Sequence, residues 1–260
     1  MALISIVINC DTRPENTIAE TMFSGTVNND FLTDGVFNKI KFFEGFDKEV
    51  ILFVDKHQEI PQSTLDYMYA ICDTVVIRKH TNEPSFNDWN YLKALSLCSG
   101  DYIAHFDQDT AAFNSTPETV NAFMRLLEQY DYISYPSHWS PRAVNDPSFN
   151  YNWASTRFFM CKRETIDFSE LRKCFDYDYW RTTYPVSKVC PWMEHWLGSI
   201  ASFKGKGVFY PPIELNHYTI FSWASYEKYT LRRLNELPYE EIAKWVNSRG
   251  GVQYPVDVNC

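Results

Sequence analysis

Two aspartates separated by one residue follow a short apolar run in the stretch YIAHFDQDTAAF, residues 102–113. The run is apolar enough to form a buried strand, so Asp107 and Asp109 would stand together where that strand ends. Carboxylates at the tip of a strand can begin a turn. They can also bind a divalent cation, because Mg²⁺ and Mn²⁺ prefer oxygen ligands. The two possibilities are therefore a turn and a metal or ligand site.

Polar residues also follow the first two predicted strands. Asp11 lies after the first strand in VINCDTRPEN, and Asp55 lies after the second in LFVDKHQE. Ligands of open parallel sheets bind beyond the carboxyl ends of the strands, so we expect these residues and Asp107 to converge on one edge. A second Asp-x-Asp pair, Asp176 and Asp178 in CFDYDYW, follows no apolar strand. We interpret this second pair as a loop.

The elements that must position these residues alternate between short β-branched runs and helical patterns. This alternation is typical of βαβ units with a largely parallel, buried sheet. A helix is predicted to begin at Ser115 or Thr116, because Pro117 follows where its missing N–H costs nothing. The other predicted elements of this half are strands at residues 4–8, 50–54, 74–77 and 102–106 and helices at residues 17–24, 61–72 and 86–97.

Beyond residue 130 the pattern changes to strands joined by aromatic loops, interrupted by helices. Neither an internal repeat nor a linker long enough to divide domains is evident, so we expect one α/β domain over residues 1–260. The predicted elements of this half are strands at residues 132–135, 157–161 and 208–210 and helices at residues 193–203, 226–237 and 239–246.

Composition excludes several classes of protein. A formal net charge of −9 argues against nucleic-acid binding, which depends on clustered Lys and Arg. The longest apolar run, residues 2–8, is far shorter than the roughly 20 residues of a spanning helix, and no basic segment precedes it. We therefore expect a cytoplasmic protein without a transmembrane segment. The 7 cysteines form no C-x-x-C pair, which favours buried free thiols over disulfides or zinc.

Glycine is scarce in this chain. The sequence has only 9 Gly and contains neither G-x-x-x-x-G-K nor G-x-G-x-x-G, the loops whose backbone usually binds phosphates. A diphosphate would have to be neutralised in another way. A divalent cation held by a carboxylate could do this, which favours the metal interpretation of the Asp-x-Asp pair at residues 107–109.

Four stretches together resemble the GT-A glycosyltransferases, most of all the family 2 type, with some likeness to the β-1,4-galactosyltransferase type. In chain order they are SIVINCDTRPEN, EVILFVDKH, FNDWNYLKALSLCSGDYIAHFDQD and WMEHW followed by a late Asn-His. The resemblance covers roughly the whole chain and is strongest over residues 3–113. It implies one GT-A domain, in which a Rossmann-like nucleotide-sugar-binding half, residues 1–113, is fused to a mixed acceptor-binding half, residues 114–260.

The resemblance also implies a donor site and a metal site. Asp107 would face the ribose or the donor sugar, while Asp109 and His217 would bind Mn²⁺ or Mg²⁺ between the phosphates. The donor would be a nucleotide-diphosphate sugar, with UDP-sugars favoured, and the acceptor a glycan or glycoconjugate. The residues expected to contact the nucleotide are Cys10, Asp11, Arg13 and Asp55.

The segment PWMEHW resembles the segment that carries the catalytic base in this family. Glu194 is expected to deprotonate the acceptor hydroxyl, with His195 as the second candidate, in an inverting transfer by single displacement. An adjacent Glu-His pair between tryptophans could also belong to a core helix. Trp153, Ser155 and Arg157 in WASTRFFMCKRE resemble the strand beside the donor sugar.

Three other functions are compatible with parts of the pattern. A haloacid-dehalogenase phosphatase also has Asp-x-Asp after a strand but needs Thr or Val two positions later, where Ala111 stands. A sugar nucleotidylyltransferase needs a glycine-rich N-terminal loop, which NCDTRPENT is not. A non-catalytic carbohydrate-binding protein fits the aromatic content of 17% but does not need Asp107, Asp109 and His217 together.

Overall fold

The computed structural model contains a mixed β-sheet with helices packed on both faces. It describes residues 2–11, 36, 39–56, 59–79, 86–107, 110–112, 117–134, 149–173, 176–188, 193–211 and 215–217.

The strands of the main sheet form where the sequence has apolar, β-branched runs, as predicted. Each of the seven predicted strands is confirmed, with ends that differ from the prediction by at most three residues. The described strands are β1 Ile4–Asp11, β2 Lys48–Lys56, β3 Thr74–Lys79, β4 Tyr102–Asp107, β5 Thr110–Ala112, β6 Tyr132–Ser134, β7 Phe158–Lys162, β8 Val208–Phe209 and β9 Leu215–His217.

The predicted helices that fall within the described residues are also confirmed. Pro117 is the first residue of its helix, where a proline lacks no hydrogen bond. The predicted helices at residues 17–24, 226–237 and 239–246 lie outside the described residues. The described helices are α1 Gln62–Ile71, α2 Phe86–Ser96, α3 Pro117–Leu126, α4 Phe168–Leu171, α5 Tyr177–Thr183 and α6 Met193–Lys204, with a 3₁₀ turn at Arg163–Thr165. Residues 36 and 39–42 are also helical.

The order of strands in the main sheet explains how the two halves of the chain meet. Within the described residues the order is β3-β2-β1-β4-β7-β6-β8. The first four of these are parallel to one another, as predicted, and β7 then pairs antiparallel with β4. Because β7 runs the opposite way, the residues that lead into it lie beside the end of β4. The α/β fold class with a mostly parallel sheet is therefore confirmed.

Alternating side chains of the strands supply the core on each face of the sheet. In β1, Ile4, Ile6 and Ile8 pack on the face that also carries residues of α1 and α3, whereas Val7 points to the opposite face. That opposite face is covered by residues of α2, α4, α5 and α6. Strands buried on both sides are expected for parallel sheets, since their helices lie on both faces.

A second, two-stranded ribbon lies outside the main sheet. β5 pairs antiparallel with β9, so that Thr110 is opposite His217 and Ala112 is opposite Leu215. This ribbon has no local signal in the sequence, because each of its strands has only 3 residues.

The interpretation of Asp176 and Asp178 as a loop was wrong. Asp176 caps the N-terminus of α5 by accepting a hydrogen bond from the Tyr179 backbone N–H at 2.8 Å, and Asp178 lies in the first turn. Carboxylates are favoured there by the unpaired N–H groups and the helix dipole. This pair therefore has a structural explanation.

Two other sequence predictions can be compared with the described residues. Cys10, Cys72, Cys98 and Cys161 are buried free thiols, as predicted, while the remaining cysteines lie outside the described ranges. No described helix is both long and apolar enough to cross a membrane.

Candidate active site

The carboxyl ends of the parallel strands bring the predicted acidic residues to one edge of the sheet. Asp11 is the register partner of Asp55 across β1 and β2. Asn9 is the register partner of Asp107 across β1 and β4. The predicted convergence of Asp11, Asp55 and Asp107 on one edge is therefore confirmed by the backbone register.

Asp107, the last residue of β4, accepts hydrogen bonds on both carboxylate oxygens. The Tyr91 hydroxyl of α2 donates to Oδ1 at 2.6 Å, and the Thr156 hydroxyl donates to Oδ2 at 3.1 Å. Burial and the negative charge of Asp107 raise the pKa of Tyr91 well above its ordinary value. Tyr91 therefore stays protonated and remains a donor to the carboxylate across the working pH range.

Thr156 connects Asp107 to a second carboxylate. While its hydroxyl donates to Asp107, its backbone N–H donates to Oε2 of Glu194 at 3.4 Å. Thr156 is in this position because it lies just before β7, which is antiparallel to β4. The Asp107 N–H also donates to the Arg157 carbonyl at 3.3 Å, which extends the pairing of the two strands to the site.

Glu194 lies in the first turn of α6 and is only 7% exposed. Burial raises the pKa of its carboxyl above the ordinary value, although the Arg157 guanidinium and the Thr156 N–H act in the opposite direction. The backbone of the same residue is fixed as well, since the Ala154 N–H donates to the Glu194 carbonyl at 3.0 Å. A carboxylate with a raised pKa is a stronger base, which suits proton abstraction from a hydroxyl.

His195, the next residue of α6, is enclosed by aromatic side chains and is 1% exposed. Its ring lies 4.3 Å from the Trp153 ring and 4.8 Å from the Phe149 ring, measured between centroids. Burial, and secondarily the positive charge of Lys188, lowers the pKa of His195 to about 3. The imidazole is therefore neutral at physiological pH.

The protonation of His195 follows from its neighbour Tyr151. The Tyr151 hydroxyl donates to the Lys188 carbonyl at 3.0 Å and lies 3.3 Å from His195 Nδ1. A hydroxyl has one proton, and that of Tyr151 is used in the bond to Lys188. We therefore assign a proton to His195 Nδ1, which donates it to the Tyr151 oxygen. The unprotonated Nε2 then lies 3.9 Å from Oε1 of Glu194. The neutral histidine thus borders Glu194 with a lone pair and not with a positive charge.

A second buried histidine lies beneath the edge of the sheet. His105 in β4 contacts the Asn9 side-chain amide through Nε2 at 2.8 Å, and its ring stacks on Phe159 at 5.1 Å. Burial lowers the pKa of His105 to about 3, with Lys39 adding to this effect and the Thr156 backbone opposing it. His105 is therefore a neutral part of the floor below Asp107.

The segment predicted to line the donor sugar runs directly into β7. The Trp153 N–H donates to the Tyr210 hydroxyl at 2.9 Å, and the same hydroxyl donates back to the Trp153 carbonyl at 2.9 Å. The Ser155 N–H donates to the Ser134 hydroxyl at 2.7 Å. Trp153, Ser155 and Arg157 are all buried beside the site, and their contact with a donor stays a prediction.

Of the remaining predicted residues, two are described by the structure and two are not. Cys10 is buried near the end of β1, and Asp55 is 5% exposed at the end of β2. Arg13 and Asp109 lie outside the described residues.

The backbone brings His217 next to the end of the Asp-x-Asp stretch. In the β5–β9 ribbon His217 is opposite Thr110, the residue that directly follows Asp109. Within the described ranges no three His, Cys, Asp or Glu side chains are grouped so that they could hold a metal ion. The predicted ligand Asp109 is outside those ranges.

Solved structures share this architecture, although sequence comparisons find nothing similar. No protein-family model matches the sequence, and no curated protein matches it. An active-site mutant of LgtC matches with a TM-score of 0.50 at 9% identity, covering 80% of this chain and 72% of that one. The chain has the GT-A fold.

Two further structures are similar with lower scores. The galactosyltransferase LgtC in complex with donor and acceptor sugar analogs gives a TM-score of 0.49 at 9% identity, with 80% of this chain and 73% of that chain covered. The mannosyltransferase PcManGT from Pyrobaculum calidifontis, in complex with GDP-Man and Mn²⁺, gives 0.45 at 12% identity, with 79% and 54% covered. Scores below 0.5 add nothing to the assignment of the fold, and the family 2 and β-1,4-galactosyltransferase subtypes predicted from sequence stay predictions.

Sequence reasoning missed two residues that the site contains. Tyr91 lies within the stretch FNDWNYLKALSLCSGDYIAHFDQD, but its residue type and spacing gave it no predicted role. Thr156 lies between Ser155 and Arg157, both of which were predicted. Its only sequence signal is a hydroxyl just before a strand. The role of this hydroxyl follows only from the pairing of β7 with β4, which the sequence does not show.

Proposed function

We propose that the protein is a metal-dependent glycosyltransferase that transfers a sugar from a nucleotide-diphosphate sugar, with UDP-sugars favoured, to a hydroxyl of a glycan or glycoconjugate. One fold can host unrelated activities, so the shared fold supports the reaction class without deciding it. The observation that carries the proposal is that Thr156 hydrogen-bonds both Asp107 and Glu194. A carboxylate at the predicted donor edge and a buried carboxylate suited to be a base thus belong to one site.

The donor would bind the half formed by residues 1–113, at the carboxyl edge of the parallel strands. Asp107 would accept a hydrogen bond from the ribose or the sugar. The remaining nucleotide and sugar contacts are assigned by resemblance to Cys10, Asp11, Arg13, Asp55, Trp153, Ser155 and Arg157.

Asp109 and His217 would hold the metal ion, Mn²⁺ or Mg²⁺. The pairing of His217 with Thr110 supports this set, because it brings the late histidine beside the end of the Asp-x-Asp stretch. A carboxylate and an imidazole suit Mn²⁺, and the rest of its coordination would come from water and phosphate oxygens. Such a cation stabilises the negative charge of a departing diphosphate.

Glu194 would act as the general base in an inverting single displacement. The acceptor hydroxyl gives its proton to the Glu194 carboxylate while its oxygen attacks the anomeric carbon. The bond between that carbon and the diphosphate oxygen breaks at the same time. The raised pKa of Glu194 and its position beside the neutral His195 support this role over a role for His195, whose pKa of about 3 makes it a weak base.

The experiment that tests the function measures donor turnover and its dependence on metal. Purified protein is screened with UDP-galactose, UDP-glucose and GDP-mannose, with Mn²⁺ or with EDTA, by thermal shift and by slow hydrolysis of the donor. We expect Mn²⁺-dependent hydrolysis that is lost in Asp109→Ala. The matched control Asp178→Ala removes an exposed aspartate from the other Asp-x-Asp pair and should keep the activity.

Two outcomes would contradict the proposal. Glycan binding without metal, and without turnover of any donor, would favour the non-catalytic carbohydrate-binding alternative. A product that keeps the anomeric configuration of the donor would overturn the inverting mechanism while leaving the glycosyltransferase assignment in place.

A further inference from the structure

We infer that Tyr91 and Thr156 are positioning residues that orient the Asp107 carboxylate for the donor, and that Thr156 does so independently of its contact with Glu194. This inference deepens the proposed function and rests on it. It concerns residues that neither touch the reacting atoms nor belong to the predicted set.

The geometry of Asp107 supports the inference. An ionised carboxylate only accepts hydrogen bonds, and here each oxygen receives one from a different part of the fold. Tyr91 donates from α2 at 2.6 Å, and Thr156 donates from the segment before β7 at 3.1 Å. Two donors on two oxygens fix the plane of the carboxylate. A carboxylate whose plane is fixed can accept a further hydrogen bond only from a limited range of directions.

The backbone around Thr156 is held from both sides, which makes its hydroxyl a fixed donor. On one side the Asp107 N–H donates to the Arg157 carbonyl at 3.3 Å. On the other side the Ala154 N–H donates to the Glu194 carbonyl at 3.0 Å. A residue fixed in this way cannot easily move to restore a lost contact. Removal of the hydroxyl should therefore change the orientation of the Asp107 carboxylate.

The two contacts of Thr156 can be separated by mutation, because they use different groups. The side chain contacts Asp107 and the Tyr91 side chain, whereas the backbone N–H contacts Glu194. Thr156→Val has nearly the same shape, loses the hydroxyl and keeps the N–H. It should therefore disturb donor binding and leave the base unchanged. A general packing defect would disturb both.

The test is a kinetic comparison of Thr156→Val, Thr156→Ser and Tyr91→Phe in Mn²⁺. The probe is whichever of UDP-galactose, UDP-glucose and GDP-mannose the wild type hydrolyses fastest. Thr156→Val and Tyr91→Phe should each raise the donor KM about tenfold, the scale of one hydrogen bond to a charged group. The acidic limb of the pH profile of kcat should not move. Thr156→Ser keeps a hydroxyl and should recover most of the affinity.

The control Thr182→Val removes a threonine hydroxyl from α5. Among the described residues this exposed hydroxyl bonds to backbone carbonyls of its own helix. Thr182→Val should leave the donor KM unchanged. Thermal unfolding of each variant checks that a raised KM is not simply loss of the folded protein.

A double-mutant cycle shows whether Thr156 acts through Asp107. Donor binding is measured by calorimetry for Asp107→Asn, Thr156→Val and the double variant. We expect the double variant to bind no more weakly than Asp107→Asn alone. Fully additive losses, or a shifted acidic limb in Thr156→Val, would overturn the inference while leaving the function intact. Absence of both turnover and binding in the wild type would overturn the proposed function and this inference with it.

Discussion

Gly198 in α6 lies against the backbone of Asn152 so closely that a Cβ on the glycine would be 2.0 Å from the Asn152 carbonyl oxygen. The same Cβ would be 2.6 Å from the Cα of Trp153. No side chain can rotate away to relieve these contacts, since both involve the main chain. The close approach brings the segment before β7 onto the helix that carries Glu194, and only glycine permits it.

Gly198→Ala should therefore destabilise the protein by about 1–3 kcal/mol, the usual cost of overpacking. The better helix propensity of alanine, about 1 kcal/mol, would only partly offset this cost. The free energy of unfolding is measured by urea denaturation. Displacement of α6 should also lower the rate of donor turnover.

Gly205→Ala is the matched control, because its added Cβ would meet mainly the Asp131 carboxylate. A side chain can rotate, at the loss of the hydrogen bond that Asp131 accepts from the Lys206 N–H. Gly205→Ala should therefore lower the free energy of unfolding by less than Gly198→Ala does. Equal or greater stability of Gly198→Ala relative to the wild type would show that the helix is free to shift.

A second prediction concerns Glu49, at the end of the sheet opposite the site. Partial burial acts to raise the pKa of its carboxyl, but hydrogen bonds from Ser5, Ser99 and Gly100 outweigh this effect and hold the pKa below the ordinary value of 4.5. A depressed pKa means that ionised Glu49 stabilises the fold. That stabilisation is present above about pH 4.5 and is lost as the pH falls through the lowered pKa.

Glu49→Gln should lower the free energy of unfolding by about 1 kcal/mol at pH 7, and by progressively less toward pH 3. Urea denaturation across this range measures the difference. Glu128→Gln is the control, since Glu128 also has a lowered pKa but bonds to Lys162 at the surface. Exposed ion pairs contribute little to stability, so the control should stay close to the wild type. A constant difference between wild type and Glu49→Gln at every pH would contradict the role of the charge.

The sheet could be predicted from sequence because each of its long strands is a continuous apolar run. β1, β2 and β4 carry Ile, Val, Leu or Phe on both faces. Such strands can be recognised in the sequence even when the face of each residue is assigned wrongly. The edge residues Asp11, Asp55 and Asp107 then follow from the strand ends. The short strands β5 and β9 could not be found in this way, because they are stabilised by each other across more than 100 residues of sequence.

The sequence predicts the position of the site better than it predicts the hydrogen bonds within it. Asp107 could be singled out, but its partners Tyr91 and Thr156 depend on how α2 packs and on the antiparallel entry of β7. The loop prediction for Asp176 fails for a different reason. The absence of a strand before this residue says nothing about a helix after it, whose N-terminus favours an aspartate.

A third prediction tests the metal site through His217. His217→Ala should weaken activation by Mn²⁺ by about tenfold or more, because the loss of a ligand should cost at least as much as the loss of a group that supports one. The activation constant for Mn²⁺ is measured from donor hydrolysis at saturating donor. Asn216→Ala, the neighbouring position of β9, is the control and should leave the constant near that of the wild type. An unchanged constant in His217→Ala would remove this residue from the metal site.

The last prediction separates Glu194 from His195 as the base. Glu194→Gln should lower kcat about 100-fold or more and leave the donor KM nearly unchanged. A base works only when deprotonated, so the wild-type rate should fall as the pH drops through the raised pKa of Glu194, above 4.5. If His195 were the base, its pKa of about 3 would put that fall at much lower pH.

Stability provides an independent check on the same residue, because a raised pKa has the opposite sign from that of Glu49. The folded protein binds the Glu194 proton more tightly than the unfolded chain does, so ionisation costs stability as the pH rises from about 4.5 through the raised pKa. Glu194→Gln cannot ionise and should gain stability relative to the wild type over that interval. Urea denaturation at pH 4.5 and pH 8 measures the gain. Loss of activity without this change in pH dependence would mean that the carboxyl is not held in the buried position from which its basicity arises.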